Sequence, residues 1–186
     1  MRLFIATHFP ESVLRDLNDH VAIVRPRLPA ASWVRPETQH LTFAFLGEQH
    51  ESVVAKIAPD LDRRLGTIPK FEASLKGCGI FPNARHARVG WIGLVPEDKF
   101  GAIASVVRDV VTKAGVALDR GDFKPHLTLM RIRDAWPPAS LDLFQKSLRD
   151  YRSEAFTVDT VTLFSSTLNP KGAVHTALKE FRLSSS

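Results

Sequence analysis

The sequence repeats one short, strand-like motif at a separation close to half its length. Residues 40–43 (HLTF) and 126–129 (HLTL) stand 86 residues apart in a chain of 186. Residues two apart on a strand point to the same side, so the His and Thr of each copy share one face and the apolar residues share the other. Two such strands predict a duplicated lobe that buries the apolar faces and turns both polar faces toward a central cleft.

The remaining hydrophobic pattern predicts four helices and seven strands in an α+β fold. Helices are expected around 13–24, 53–65, 100–110 and 141–148, and strands over 3–9, 41–46, 71–76, 88–94, 127–132, 156–164 and 174–183. Pro59 should kink the second helix or reset its start, and Gly115 stands where the third helix would end. Because several strands follow each other directly, we expect bilobal, duplicated antiparallel sheets with outer helices. No Gly/Ser linker divides the chain, so residues 1–186 should form a single domain of two pseudo-symmetric lobes.

The composition narrows the class of protein. With 44% hydrophobic and 24% charged residues, the chain is an ordinary globular protein and not a disordered, collagen-like or coiled-coil one. The single cysteine, Cys78, excludes an intramolecular disulfide and favours a reducing compartment, here taken as the cytoplasm. No apolar run is long enough for a signal peptide or a membrane span, so no membrane association is expected. The net charge of +5 hints at polyanionic partners, although dispersed basic residues fit a solvated surface equally well.

The two repeated histidines, His40 and His126, are the candidate catalytic residues. One strand His bonded to a neighbouring Thr is ordinary, but two imidazoles and two hydroxyls facing a cleft supply an acid and base near neutral pH and donors for an oxyanion. Phosphoryl oxygens suit such a site. Two His ligands without a nearby carboxylate or Cys are too few for zinc, so no metal is predicted. A nucleophilic Thr is disfavoured because neither a strained elbow nor an acidic orienter accompanies it.

The strings around these motifs resemble a known family. Residues 2–6 (RLFIA), 40–47 (HLTFAFLG) and 125–131 (PHLTLMR) look like the 2H phosphoesterase superfamily, and within it the RNA 2′,3′-cyclic phosphodiesterase family, also called 2′-5′ RNA ligase-like. The resemblance implies a 2H phosphoesterase fold with both histidines in the cleft, no cofactor, and RNA ends or nucleosides carrying 2′,3′-cyclic phosphates as substrates. It also implies that His40 is the acid, His126 the base, and the product a 2′-phosphate. We expect a monomer.

Three further residues are expected to bind the substrate. Thr42 and Thr128 should hydrogen-bond the non-bridging phosphate oxygens. The resemblance implies that Arg131 binds the phosphate too, but strict strand alternation places Arg131 opposite His126. A twist, a bulge or the length of the side chain would have to bring it into the cleft, and a surface salt bridge is the alternative. His175 stands near the position where family members carry a Tyr, which leaves a stacking role for the last hairpin open.

Other residues are weaker candidates. Four histidines lack a partner motif and are expected to face solvent or bond locally: His8, His20, His50 and His86. Three aromatic residues could stack on a base, although core packing is favoured: Trp33, Phe81 and Trp91. The competing hypothesis is a binding module that holds a nucleotide or RNA end without turnover. The intact histidine pair favours the enzyme, because binding alone needs no matched pair of proton-transfer groups.

Overall fold

A computed structural model of the chain describes residues 1–119, 121–170 and 172–185. The strands in these ranges are β1 (Arg2–Thr7), β2 (Ser32–Trp33), β3 (Leu41–Glu48), β4 (Phe71–Phe81), β5 (Val89–Val95), β6 (His126–Arg131), β7 (Phe156–Val158), β8 (Thr160–Asn169) and β9 (Gly172–Arg182). The α-helices are α1 (Glu11–Val24), α2 (Ser52–Leu65), α3 (Glu97–Lys113) and α4 (Pro138–Leu148). Short 3-10 helices cover Arg25–Arg27, Pro36–Thr38 and Ala84–His86.

The strands form two sheets, and the pairing within each sheet is antiparallel. One sheet has the order β3-β1-β8-β9 and the other the order β2-β6-β5-β4-β7. Helices α2 and α3 pack on each other and on the four-stranded sheet, whereas α1 packs on α4, and α4 contacts β4 of the five-stranded sheet. The predicted α+β class, with two antiparallel sheets and helices packed on them, is confirmed.

The apolar side chains of β1 are buried on both faces of the four-stranded sheet. On β1, Leu3 and Ile5 join the main hydrophobic core, which also takes in the inner faces of the helices. The alternate residues Phe4 and Ala6 form a separate buried cluster with Phe164 on the opposite face. This second face lies beside the first repeated motif, because the ring centroid of Phe4 is 5.0 Å from that of His40.

The predicted end of the third helix is confirmed. Gly115 adopts a left-handed φ of 91°, and the Val116 and Gly115 amides donate to the Val111 and Thr112 carbonyls in the two bonds of a Schellman motif. For the second helix, the sequence offered two outcomes at Pro59: a kink or a new start. The structure excludes the new start, because α2 begins upstream of Pro59 and runs through it. Pro59 therefore does not reset the start of the helix. None of the helices within the described ranges is long and apolar enough to span a membrane.

The single strand expected over 156–164 is wrong. The structure divides it at Asp159 into β7, which pairs with β4, and β8, which pairs with β1 and β9. The alternation of apolar and polar residues continues from one sheet into the other. That pattern shows which side chains share a face, but it does not show in which sheet a strand lies. The strand expected over 71–76 continues to Phe81 through a register shift at Gly77, whose φ of 75° suits glycine. The two-residue strand β2 was not predicted because it is too short to show a period.

Candidate active site

The two repeated motifs line one cavity of about 220 Å³. His40 immediately precedes β3 in the four-stranded sheet, and His126 begins β6 in the five-stranded sheet. Both motif threonines, Thr42 and Thr128, line the same cavity, as does Arg131. The structure thus brings together all five of the residues that the sequence nominated.

Both motif imidazoles are held by the same kind of hydrogen bond. Nδ1 of His40 bonds the carbonyl of Thr38, and Nδ1 of His126 bonds the carbonyl of Lys124, each at 2.7 Å. Because a carbonyl only accepts, Nδ1 carries the proton and donates in both cases. Nε2 of each ring is therefore the nitrogen that can accept a proton when the ring is neutral and donate one when it is charged.

The carbonyl that holds His40 belongs to a well-fixed segment. The Gln39 side chain is buried and exchanges two amide hydrogen bonds with Asn18 of α1, at 2.9 and 3.1 Å. The Thr38 hydroxyl donates to the Arg35 carbonyl at 3.0 Å. These bonds tie the 3-10 turn before His40 to the first helix, and so fix the direction of its imidazole.

The segment before His126 is fixed differently. The Lys124 ammonium donates to the Glu97 carboxylate at the start of α3, at 2.7 Å, and the Leu94 amide donates to the Pro125 carbonyl at 3.3 Å. The ring of His126 then meets the edge of Phe81, with centroids 4.9 Å apart and planes at 87°. The imidazole is thus oriented by its backbone bond on one side and an aromatic ring on another.

A β-bulge brings Arg131 into the cavity. Opposite β5, Trp91 faces Thr128 and Gly90 faces Met130, so Leu129 is an extra residue on β6. Leu129 and Met130 are consequently both buried, and Arg131 returns to the face of His126. The prediction from strict alternation that Arg131 faces away from His126 is therefore wrong, and the bulge is what brings Arg131 into the cavity.

The first motif contains the same irregularity at the same distance from its histidine. Opposite β1, Ala6 faces Thr42 and Ile5 faces Ala44, so Phe43 is the extra residue on β3. Phe45 therefore lies on the cavity face, where its side chain is 60% exposed. The sequence analysis missed Phe45, although aligning the two motifs residue by residue pairs it with Arg131.

Burial and nearby positive charge lower the pKa of both motif histidines. Burial is the main reason that the pKa of His40 falls to about 4. The hydrogen bond to the Thr38 carbonyl raises this pKa, and the charges of His175, His8 and Arg131 lower it further. The pKa of His126 is lowered mainly by burial and also by the charge of Arg131, whereas the hydrogen bond to the Lys124 carbonyl raises it. In the protein alone, therefore, both rings are neutral at pH 7.

Two histidines outside the repeated motifs also lie beside His40. The His175 ring packs edge-on against His40 with centroids 5.2 Å apart, and the exposed His8 ring lies 6.0 Å away. Nδ1 of His175 is buried and has no hydrogen-bond partner within the described ranges. His8 was expected to face solvent or bond locally, and for His175 only a stacking role of the last hairpin was left open. Their contacts with His40 depend on the strand order, which local sequence does not show.

The predictions for the remaining histidines and aromatics have mixed outcomes. His50 bonds the Ser52 hydroxyl at 2.9 Å and His86 is exposed, as predicted. His20 instead bonds the carbonyl of Ser147 on the distant helix α4, at 2.7 Å, so the expectation of solvent exposure or local bonding is wrong for this residue. Trp33 packs against the core as expected. Phe81 does not, because it lines the cavity. Trp91 stacks on Phe81 with centroids 4.9 Å apart.

The described residues contain no group of three or more His, Cys, Asp or Glu side chains placed to hold a metal ion. The cavity is lined by two imidazoles, three threonine hydroxyls, one amide, one guanidinium, two phenyl rings and two valine side chains. Such a set can exchange protons on two sides of a bound group and can hydrogen-bond an anion between them.

Comparison with known proteins gives matches over nearly the whole chain. The profile of the 2′-5′ RNA ligase superfamily matches residues 15–169. An RNA 2′,3′-cyclic phosphodiesterase of Thermotoga maritima is 31% identical over 97% of this chain and 94% of its own, and one of Archaeoglobus fulgidus is 34% identical over 97% and 99%. A crystal structure from Thermus thermophilus superposes with a TM-score of 0.80 at 31% identity, covering 98% and 97% of the two chains. Escherichia coli LigT complexed with 3′-AMP shares the fold, with a TM-score of 0.75 at 24% identity, over 98% and 97%.

Proposed function

The chain belongs to the 2′-5′ RNA ligase superfamily, and from this premise we propose that it is a metal-independent phosphodiesterase that hydrolyses RNA or nucleoside 2′,3′-cyclic phosphates to 2′-phosphates. The observation that carries the proposal is the matched pair of imidazoles, His40 and His126, in one cavity with the same Nδ1 bond. Relatives of nearly the same length that carry the name RNA 2′,3′-cyclic phosphodiesterase support this substrate class.

The two histidines act as acid and base in an in-line displacement. Nε2 of neutral His126 takes a proton from water as the water oxygen bonds to phosphorus. The bond from phosphorus to the ribose 3′ oxygen breaks, and protonated His40 gives its Nε2 proton to that oxygen. The two groups must flank the phosphate, which their positions on separate sheets support. Each should contribute roughly 10² to 10⁴ in rate.

Thr42, Thr128 and Arg131 bind the non-bridging oxygens. The hydroxyls donate hydrogen bonds to the oxygens on which charge builds, and the guanidinium adds a positive charge with a planar pair of donors. Burial is the main cause of the lowered pKa of both histidines, and the charge of Arg131 adds to it; an anionic phosphate bound beside Arg131 offsets that added part. Binding of the substrate thus favours the proton that the acid requires.

The cavity walls suit the nucleoside part of the substrate. Phe45 and Phe81 come from different sheets, and both offer ring faces or edges on which a base or ribose can pack. The matching bulges in β3 and β6 support our proposal that residues 1–186 form one domain of two pseudo-symmetric lobes. The single cysteine supports a cytoplasmic location for an enzyme that we take to act as a monomer.

The alternative is a module that binds a nucleotide or RNA end without turning it over. A turnover assay with a 2′,3′-cyclic mononucleotide and a cyclic-ended oligonucleotide separates the two. We expect turnover by the wild type, loss of most turnover in His126→Gln, and wild-type rates in the control His50→Gln, whose exposed ring lies outside the cavity. Saturable binding without any product would support the binding module.

A further inference from the structure

Several ion pairs lie on the helices, whereas the arginines near one end of the cavity have no carboxylate partner among the described residues. Exposed ion pairs join Arg63 to Asp60 on α2, Lys113 to Asp109 on α3, and Lys146 to Asp142 on α4. In the described part of the chain, ten exposed arginines have no carboxylate within ion-pair distance, and five of these come from segments that include or adjoin cavity-lining residues. We name them the arginine strip: Arg35, Arg85, Arg88, Arg131 and Arg133.

Backbone pairing gathers the strip at one end of the five-stranded sheet. Arg131 faces Val89 on β5 and Ser32 on β2. Beyond it, the Ile132 amide donates to the Arg88 carbonyl, and the Arg88 guanidinium donates to the Arg133 carbonyl, both at 2.8 Å. Neighbouring strands lie about 5 Å apart, so these positions are adjacent.

The two other members extend the strip to either side. Arg85 lies in the 3-10 turn between β4 and β5, where its amide donates to the Asn83 side chain at 3.0 Å. Arg35 follows β2, and its guanidinium lies beside Gly172 at the start of β9 in the other sheet. The strip therefore begins at the cavity and continues outward from it.

We propose that the arginine strip binds backbone phosphates of RNA on the 5′ side of the cyclic end. This inference rests on the proposed function. A 2′,3′-cyclic phosphate terminates the 3′ end of a strand, so the rest of the RNA can leave the cavity only through its 5′ side. Guanidiniums without a carboxylate partner repel one another, and bound anions reduce this repulsion. A single-stranded RNA backbone supplies one such anion, a phosphate, per nucleotide.

The strip makes a cyclic-ended oligonucleotide a better substrate than a cyclic mononucleotide, by an amount that depends on salt. Each phosphate contact on single-stranded nucleic acid adds about −0.7 to the slope of log affinity against log salt. Contacts from Arg35, Arg85 and Arg133 would steepen the oligonucleotide slope by about 2 relative to the mononucleotide.

The test measures kcat/KM against NaCl concentration for a cyclic-ended decanucleotide and a cyclic mononucleotide. In the triple variant Arg35→Gln, Arg85→Gln and Arg133→Gln, the oligonucleotide slope should become shallower by about 2, while the mononucleotide kcat/KM stays within about twofold of wild type. Arg88 is kept because its side chain bonds the backbone. The matched control removes the same charge from ion-paired helix positions: Arg63→Gln, Lys113→Gln and Lys146→Gln.

Two outcomes would overturn the strip proposal. One is equal salt slopes for the two substrates in the wild type, and the other is an equal loss in the strip and control variants, which would mean that only net charge matters. Fluorescence anisotropy of a labelled decanucleotide provides a readout that needs no turnover. If the wild type turns over neither substrate but binds RNA more tightly than the strip variant, the proposed reaction fails and the strip stands.

Discussion

Raising the pH from 6.5 to 8.5 should lower kcat/KM for a 2′,3′-cyclic mononucleotide by about 50- to 100-fold. The reaction needs one proton shared by the pair, so that one imidazole is an acid and the other a base. Burial lowers the pKa of His40 to about 4 and lowers that of His126 as well. Below both pKa values the base is lost, and above both the acid is lost. The active form therefore dominates only on the acid side of neutrality, and above it kcat/KM falls about tenfold per pH unit.

The pH profile of kcat should lie at higher pH than that of kcat/KM. In the bound complex the phosphate anion counters the charge of Arg131, so protonation of both rings becomes easier and both pKa values rise. Initial rates from pH 4.5 to 9 at fixed ionic strength give both profiles, and the cyclic phosphodiester itself does not titrate over this range. A kcat/KM that stays flat from pH 6.5 to 8.5 would refute the reasoning, because the pair would then retain its proton despite burial.

Three more predictions concern the chemistry and the packing of the site. His40→Ala and His126→Ala should each lower kcat by at least tenfold, and the double variant should be little worse because acid and base act as a unit; a single variant that keeps more than about a tenth of wild-type kcat would exclude paired catalysis. Exhaustive dialysis against EDTA should leave kcat unchanged, and loss that one divalent metal restores would favour a metallohydrolase. Gly79→Ala should lower the free energy of unfolding in urea by about 1 to 3 kcal/mol, since the new Cβ would lie 2.2 Å from the Trp91 ring; an unchanged urea midpoint would contradict that packing.

The sequence predicted the two histidines of the site because its evidence for them is local and repeated. The spacing of His40 and Thr42 on one face, duplicated at His126 and Thr128, needs only the alternation of a strand. The helices were predictable for the same reason, since an apolar stripe recurs within a few residues.

Features set by contacts between distant strands were not predictable in this way. The bulge at Leu129 is visible only from the partner strand, so alternation misplaced Arg131. His8 and His175 reach His40 because β1 lies between β3 and β8, and β9 follows β8 in the sheet. The pKa of His40 is lowered by burial and by these neighbouring histidines. The expected pH optimum therefore moves from neutrality to the acid side.

The central claim is tested most directly by following a 2′,3′-cyclic mononucleotide with phosphorus NMR in the presence of the wild-type protein. We expect the cyclic phosphate resonance to disappear and a single 2′-monophosphate resonance to replace it, because the proposed reaction releases the 3′ oxygen toward His40. A 3′-monophosphate would show that the substrate binds in the opposite sense. Persistence of the cyclic resonance under saturating conditions would contradict the claim that the histidine pair catalyses hydrolysis.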